Sequence, residues 1–197
     1  KTTAMRALAT AWRNGGGLTR ELLTWPQPDG WQLRVSVARI ARSGPFSPFP
    51  GVQRCFAVLH GQGVRLDLPG GARAVTAADS PLSFDGEAAP MCHLLDGPTD
   101  DLNLMVHRDA GHAVMHRATP GSDIDGPTRW RALFAVAPAR LDVGDRSQVL
   151  AAGTLAWSDD ADGSAAARPL ARPARRAAAG AQLRQLQRRA RPQPAGR

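Results

Sequence analysis

Lysine is almost absent: Lys1 is the single lysine among 25 basic residues. Cysteine is scarce too, with only Cys55 and Cys92. Two cysteines exclude a disulfide framework and read as small core residues in a reducing compartment. No apolar run approaches the roughly 20 residues a membrane-spanning helix needs, which excludes a helical membrane protein. No apolar signal core follows Lys1-Thr2-Thr3-Ala4-Met5-Arg6, so a cytoplasmic location is expected. The start at Lys1 rather than Met suggests trimming or a longer parent chain. Long helical periodicity is missing, and the run Asn14-Gly15-Gly16-Gly17 lacks the Gly-Lys-Ser/Thr of a nucleotide loop. No Ser/His/Asp or Cys/His set carries a local catalytic signature.

What is present fits a globular domain of 197 residues, 43% hydrophobic and 21% charged. The net charge of +8 is localised. Residues 164–197 hold nine Arg and no acidic residue, which leaves −1 on residues 1–163. Ala, Arg and Pro make up 24 of those 34 residues. The sequence therefore predicts a body at 1–160 and a disordered, basic Arg/Ala/Pro-rich tail at 161–197. The alternative for the tail is an Arg-rich arm on nucleic-acid phosphates. Without interleaved aromatics such contact would be weak and non-specific.

The body reads as strands separated by Gly, Pro, Asp and Ser clusters. Expected strands are 31–40, 54–60, 64–68 (after the turn Gly61-Gln62-Gly63), 81–84, 91–95, 102–107, 131–137, 140–143 and 148–157. In the first, Arg34, Ser36 and Ala38 share one face, opposite Leu33, Val35 and Val37. That polar face meets either solvent or a barrel interior. Asp101, Asn103, Met105 and His107 likewise oppose Leu102, Leu104 and Val106, either as a solvated edge or as part of a site. Phe56-Ala57-Val58 returns as Phe134-Ala135-Val136, a weak echo consistent with two β units at about 11–90 and 91–160. Many short strands with frequent turns predict an all-β barrel or sandwich.

Four stretches are distinctive together: Trp12–Glu21, Trp31–Ser36, Ser43-Gly44-Pro45-Phe46-Ser47-Pro48-Phe49-Pro50-Gly51, and Leu94–Pro98 followed by Asp101–Met105. From about Ala11 to Asp160 this pattern resembles the HutD/Ves family of cupin-like proteins. The resemblance implies a cupin-type double β-barrel (bicupin) in the bacterial cytoplasm. It also implies a role as a governor of histidine utilisation, with formylglutamate or urocanate as candidate ligands.

Aligned on Gly61, the resemblance puts Ser47, Phe49 and Arg54 at three cupin metal-ligand positions. The second cupin pattern puts Ala89 at the fourth. None coordinates a metal, and a guanidinium would repel one, so no metal and no cofactor are expected. The same Arg suits an organic acid, because its planar fork matches a carboxylate.

The expected ligand site is therefore Arg54 and Arg34 clamping a carboxylate, with Ser36, Ser47 and Asn103 orienting it. Asn14 on the glycine loop, Glu21 and Asp101 complete the candidate set. Glu21 and Asp101 are each either an ion-pair partner of an arginine or an acid–base group. His107, His112 and His116 read as ordinary histidines without a fourth ligand. The leading expectation is a metal-free binder of a small carboxylate metabolite, homodimeric through short edge strands. The alternative is a small cupin-type isomerase, hydrolase or oxygenase using Glu21, Asp101 or His60.

Overall fold

The computed structural model describes residues 9–12, 15–122 and 128–159, together with the backbone of 180–184. Its strands are β1 (Ala9–Ala11), β2 (Gly17–Trp25), β3 (Leu33–Ile40), β4 (Gly44–Pro45), β5 (Val52–His60), β6 (Val64–Leu68), β7 (Gly71–Val75) and β8 (Leu82–Asp85). There follow β9 (Met91–Leu94), β10 (Thr99–His107), β11 (Val114–Ala118), β12 (Trp130–Ala135), β13 (Ala139–Val143), β14 (Arg146–Leu150), β15 (Thr154–Asp159) and β16 (Gly180–Arg184). A single 3-10 turn, Gly86–Ala88, is the only helical element among the described residues. No helix there is long and apolar enough to cross a membrane.

One six-stranded sheet, in the order β1-β2-β3-β10-β5-β8, organises the molecule. Both of its faces are covered. On one, Ile40, Phe56 and Val58 pack with Val64, Leu66 and Cys92 of the sheet β4-β9-β6-β7. On the other, Leu33, Val35, Cys55, Leu102, Leu104 and Val106 pack with Met115, Trp130, Ala132, Phe134 and Leu155 of the sheet β11-β16-β12-β15. Each fully buried Phe or Leu contributes about 1.5–3 kcal/mol of transfer free energy. The result is an all-β, cupin-type double barrel. Because β10 lies between β3 and β5, and β9 pairs with β4 and β6, the segments 11–90 and 91–160 interleave in the first barrel.

A bulge explains a strand that simple alternation does not reveal. The β2–β3 register shifts between Glu21 and Leu23. Glu21 stands opposite Ser36, and Leu23 stands opposite Val35. The extra residue, Leu22, is buried beside Leu23, so two adjacent leucines break the period of two. The run expected at 148–157 is likewise two strands, β14 and β15, separated at Ala151-Ala152-Gly153.

Within the basic segment 161–197 the described residues are the five of β16. Its backbone at Gly180–Arg184 pairs with β11 on one side and β12 on the other. These five residues thus add a strand within a segment that composition reads as a tail. Among the described strands, β11 and β12 reach each other only through β16, so backbone groups on both are satisfied by it. Composition carries little of this signal, because strand addition uses main-chain bonds.

Candidate functional site

The covered face of β3, β10 and β5 carries polar groups in register. Arg34, Met105 and Arg54 form one cross-strand row, and Ser36, Asn103 and Phe56 form the next. The Cα atoms of Arg34 and Arg54 are thus two strand spacings apart, about 9–10 Å. The polar face turns into the first barrel rather than toward solvent: Ser36, Arg54, Asp101 and Asn103 are all buried.

Arg34, Ser36, Arg54 and Asn103 border a cavity of about 440 Å³, within the usual size for a small-molecule site. Five expected residues, Arg34, Ser36, Ser47, Arg54 and Asn103, line this one cavity. Trp12, Thr19, Phe46 and Met105 line it as well; residue-type reasoning does not single them out as ligand contacts. Signals for them were nonetheless present. Met105 shares the strand face of Asn103, and Phe46 sits within the Ser43–Gly51 stretch. That stretch closes the cavity mouth, held by Phe46 N–H to the Pro90 carbonyl at 3.0 Å and Phe49 N–H to the Gly86 carbonyl at 2.9 Å.

Each arginine is anchored through Nε. Arg34 Nε donates to Glu21 Oε2 at 2.8 Å. Arg54 Nε donates to Asn103 Oδ1 at 2.7 Å. The Arg54 guanidinium also lies 4.2 Å from the centre of the Phe46 ring. The Nε bond is its hydrogen bond to a described residue, and its Nη atoms, not sealed in the protein interior, reach the cavity. Burial lowers the Arg54 pKa to about 10, with Asp101 acting in the opposite direction. The guanidinium remains a cation at neutral pH.

Asp101 lies deeper, fully buried and outside the cavity lining. Asn103 Nδ2 donates to its Oδ1, so Asn103 links Arg54 to Asp101. The second oxygen, Oδ2, has no partner among the described residues. Burial raises the Asp101 pKa to about 7, against the pull of Arg54 and Asn103. Glu21 is committed to Arg34, and His60 is exposed at the end of β5. Asn14 lies outside the described residues.

The cupin ligand positions do not form a metal centre. Ser47, Phe49 and Arg54 do line the cavity, and Ala89 follows the 3-10 turn. A hydroxyl, a phenyl ring, a guanidinium and a methyl group do not fit a divalent cation. No cluster of three or more His, Cys, Asp or Glu occurs among the described residues. The three later histidines are separated: His107 packs on Trp31 at 4.9 Å, His112 lines the second barrel, and His116 lies beside β8.

A second cavity, also about 440 Å³, runs between β8 and β11. Its arginine and its glutamine are already engaged. Arg117 Nη2 donates to the Ala77 and Asp79 carbonyls, and the Gln53 amide clamps the backbone of Ala113. The first cavity is thus the one that presents an open cationic fork.

Known proteins share this fold. A conserved protein of unknown function from Pseudomonas aeruginosa PAO1 superposes with a TM-score of 0.79 at 26% identity, over 94% of this chain and 98% of that one. A HutD from Pseudomonas fluorescens SBW25, solved in a formate condition, gives 0.74 at 25% identity, over 95% and 100%. In sequence, an uncharacterized 21.2 kDa protein in the hutC 3' region of Pseudomonas putida is 40% identical over 96 residues, 48% of this chain and 50% of that protein. Protein Ves of Cronobacter sakazakii is 40% identical over 109 residues, 54% and 60% respectively. The chain thus spans about half the length of the curated relatives it matches. The family model HutD, by contrast, matches residues 4–177, taking in every strand that builds the cavity, and on that match the chain belongs to the HutD family.

Proposed function

We propose that this chain is a metal-independent binding protein for a small carboxylate metabolite. The observation that carries the reading is the buried Arg54 fork, whose Nη atoms reach a cavity of ligand size. A desolvated guanidinium needs an acceptor, and a carboxylate supplies two oxygens in matching geometry. Arg34 adds a second cation on the same wall. Ser36, Ser47 and Asn103 offer directional hydrogen bonds.

Gene context of a relative supports a metabolic setting. The Pseudomonas putida protein is named for its place near hutC, and the solved HutD is described for a formate condition. We therefore favour a cytoplasmic sensor or governor of histidine utilisation, with formylglutamate and urocanate as candidate ligands.

Calorimetric titration with formylglutamate, urocanate and formate tests this directly. Arg54→Ala should weaken binding by about 2–5 kcal/mol, the range for truncating one partner of a buried charged pair. Unchanged affinity in that variant would remove Arg54 from the site. Failure of all three acids to bind would remove the carboxylate reading.

A further inference from the structure

Arg54 faces in two directions. Through Asn103 it is coupled to Asp101, and through its Nη atoms it faces the cavity. Asp101 is completely buried, and no second cation lies beside it. Without ligand and above neutrality, an ionised Asp101 balances Arg54 inside the barrel. A ligand carboxylate on the Nη fork would supply the same negative charge a second time. Two buried carboxylates sharing one guanidinium leave a surplus charge in a poorly solvated interior, which is strongly unfavourable.

We infer that a carboxylate binds Arg54 together with one proton, and that Asp101 is the group that takes it. This rests on the carboxylate reading above. The balance is struck at Arg54: one ligand carboxylate and one proton from solvent enter, Asp101 becomes a neutral acid, and the net charge around Arg54 is unchanged, while the second carboxylate of a dicarboxylate lies outside this count. The unpartnered Oδ2 leaves room for the proton.

The groups facing Asp101 from neighbouring elements leave little alternative. Arg54 on β5 and the more distant Arg34 on β3 are already cations. Cys92 on β9 has its thiol pushed up to about 12, so it is already protonated at neutral pH. Asp100, the next residue on β10, pairs with Arg39 and is partly exposed. Glu21 on β2, bonded to Arg34, is the other carboxylate close to the cavity wall. Burial holds the free-state Asp101 pKa at about 7. It is therefore mostly ionised, and able to accept a proton, only above neutrality. A bound anion raises the pKa further, by repulsion and by drawing on Arg54.

The sign follows from linkage. Near pH 6 Asp101 already holds its proton, and affinity should be nearly flat with pH. Above pH 7 binding must recruit the proton, and affinity should fall by up to about tenfold per pH unit. N-formylglutamate is the appropriate probe, since ordinary carboxyls ionise near pH 4 and urocanate carries an imidazole that titrates nearby. Calorimetry of the full chain in buffers of different ionisation enthalpy counts protons directly. Uptake should be small at pH 6 and approach one per ligand by about pH 8.5. Binding with buffer-independent enthalpy at that pH would overturn the inference while leaving the carboxylate reading intact. Asp101→Asn, a mimic of the protonated acid, should abolish the uptake and flatten the pH profile. Uptake that persists in a folded Asp101→Asn would move the proton to another group, Glu21 first, and equally overturn the assignment. If that variant does not fold, the buffer series on the unaltered chain still decides. Failure of N-formylglutamate, urocanate and formate alike to bind at any of these pH values would end both proposals.

Discussion

At the residue scale, Asp101 should leave its mark on stability before any ligand is added. Its folded pKa is raised from 3.8 to about 7, chiefly by burial. Between those values the folded chain holds a proton that the unfolded chain has lost, so stability falls as pH rises through this window. The cost is absent below pH 4 and complete above pH 7, where it reaches roughly 4 kcal/mol. Asp79 and Asp85, which are exposed, and Asp142, which is largely buried, act in the opposite direction. Hydrogen bonds hold their pKa values down, and that stabilisation disappears only in acid. The expected profile is a maximum near pH 4 and a decline up to about pH 7. Chemical denaturation of the unaltered chain across this range checks it, and the decline should be much shallower in Asp101→Asn. A flat profile in the unaltered chain would mean that water or a local rearrangement solvates Asp101.

At the element scale, the most exacting turn is the one between β5 and β6. Gly63 has φ of +101°, and a Cβ there would stand 2.3 Å from the Val75 carbonyl oxygen on β7. Gly63→Ala therefore meets backbone strain of about 1–3 kcal/mol and a contact with main chain that cannot simply swing aside. A drop of that size or more in unfolding free energy is expected. The sequence makes this turn visible through Gly61-Gln62-Gly63, and the flanking strands β5 and β6 are legible from their apolar alternation. Strands β7 and β11 are not. The first, Gly71–Val75, is largely exposed, and its small and charged residues show no apolar period. The candidate site was legible for a different reason. Arg34, Ser36, Arg54 and Asn103 break otherwise apolar strands, and such polar interruptions mark a wet interior. What spacing alone did not reveal is that Asn103 joins Arg54 to Asp101, since this depends on the β10–β5 register.

The strand at Gly180–Arg184 lies furthest from what the sequence conveys, and its removal is the sharpest test at this scale. A chain ending before Gly180 leaves β11 and β12 unbridged. With net values of about 0.5–1.5 kcal/mol per hydrogen bond, the loss amounts to a few kcal/mol. For a chain of this size that lowers the thermal midpoint by on the order of 10 °C. Hydrogen exchange at Met115 and Leu133 should accelerate in the shortened chain. An unchanged midpoint would show that this pairing adds nothing to the fold.

At the scale of the whole molecule, the two barrels have parted in purpose. The second interior is filled by Leu23, Leu104, Trp130, Ala132 and Trp157, leaving a residual void of about 20 Å³. That is barely room for a water molecule, and its lining is apolar. The first barrel keeps about 440 Å³ open and points a cation into it. The position that the cupin resemblance aligns with a metal ligand thus carries a positive charge, Arg54, facing the cavity. Coulomb repulsion in a partly desolvated cavity makes metal entry unfavourable, and the same field attracts an anion. Two measurements on one preparation separate these outcomes. Elemental analysis should find no metal at one per chain, and added zinc or manganese should leave the thermal midpoint in place. Formylglutamate at a hundredfold excess over its dissociation constant should stabilise the fold by about 2.7 kcal/mol, because it binds only the native chain. A stoichiometric metal that survives dialysis, or a midpoint raised by zinc, would mean that Arg54 swings out of the cavity and that other donors take its place.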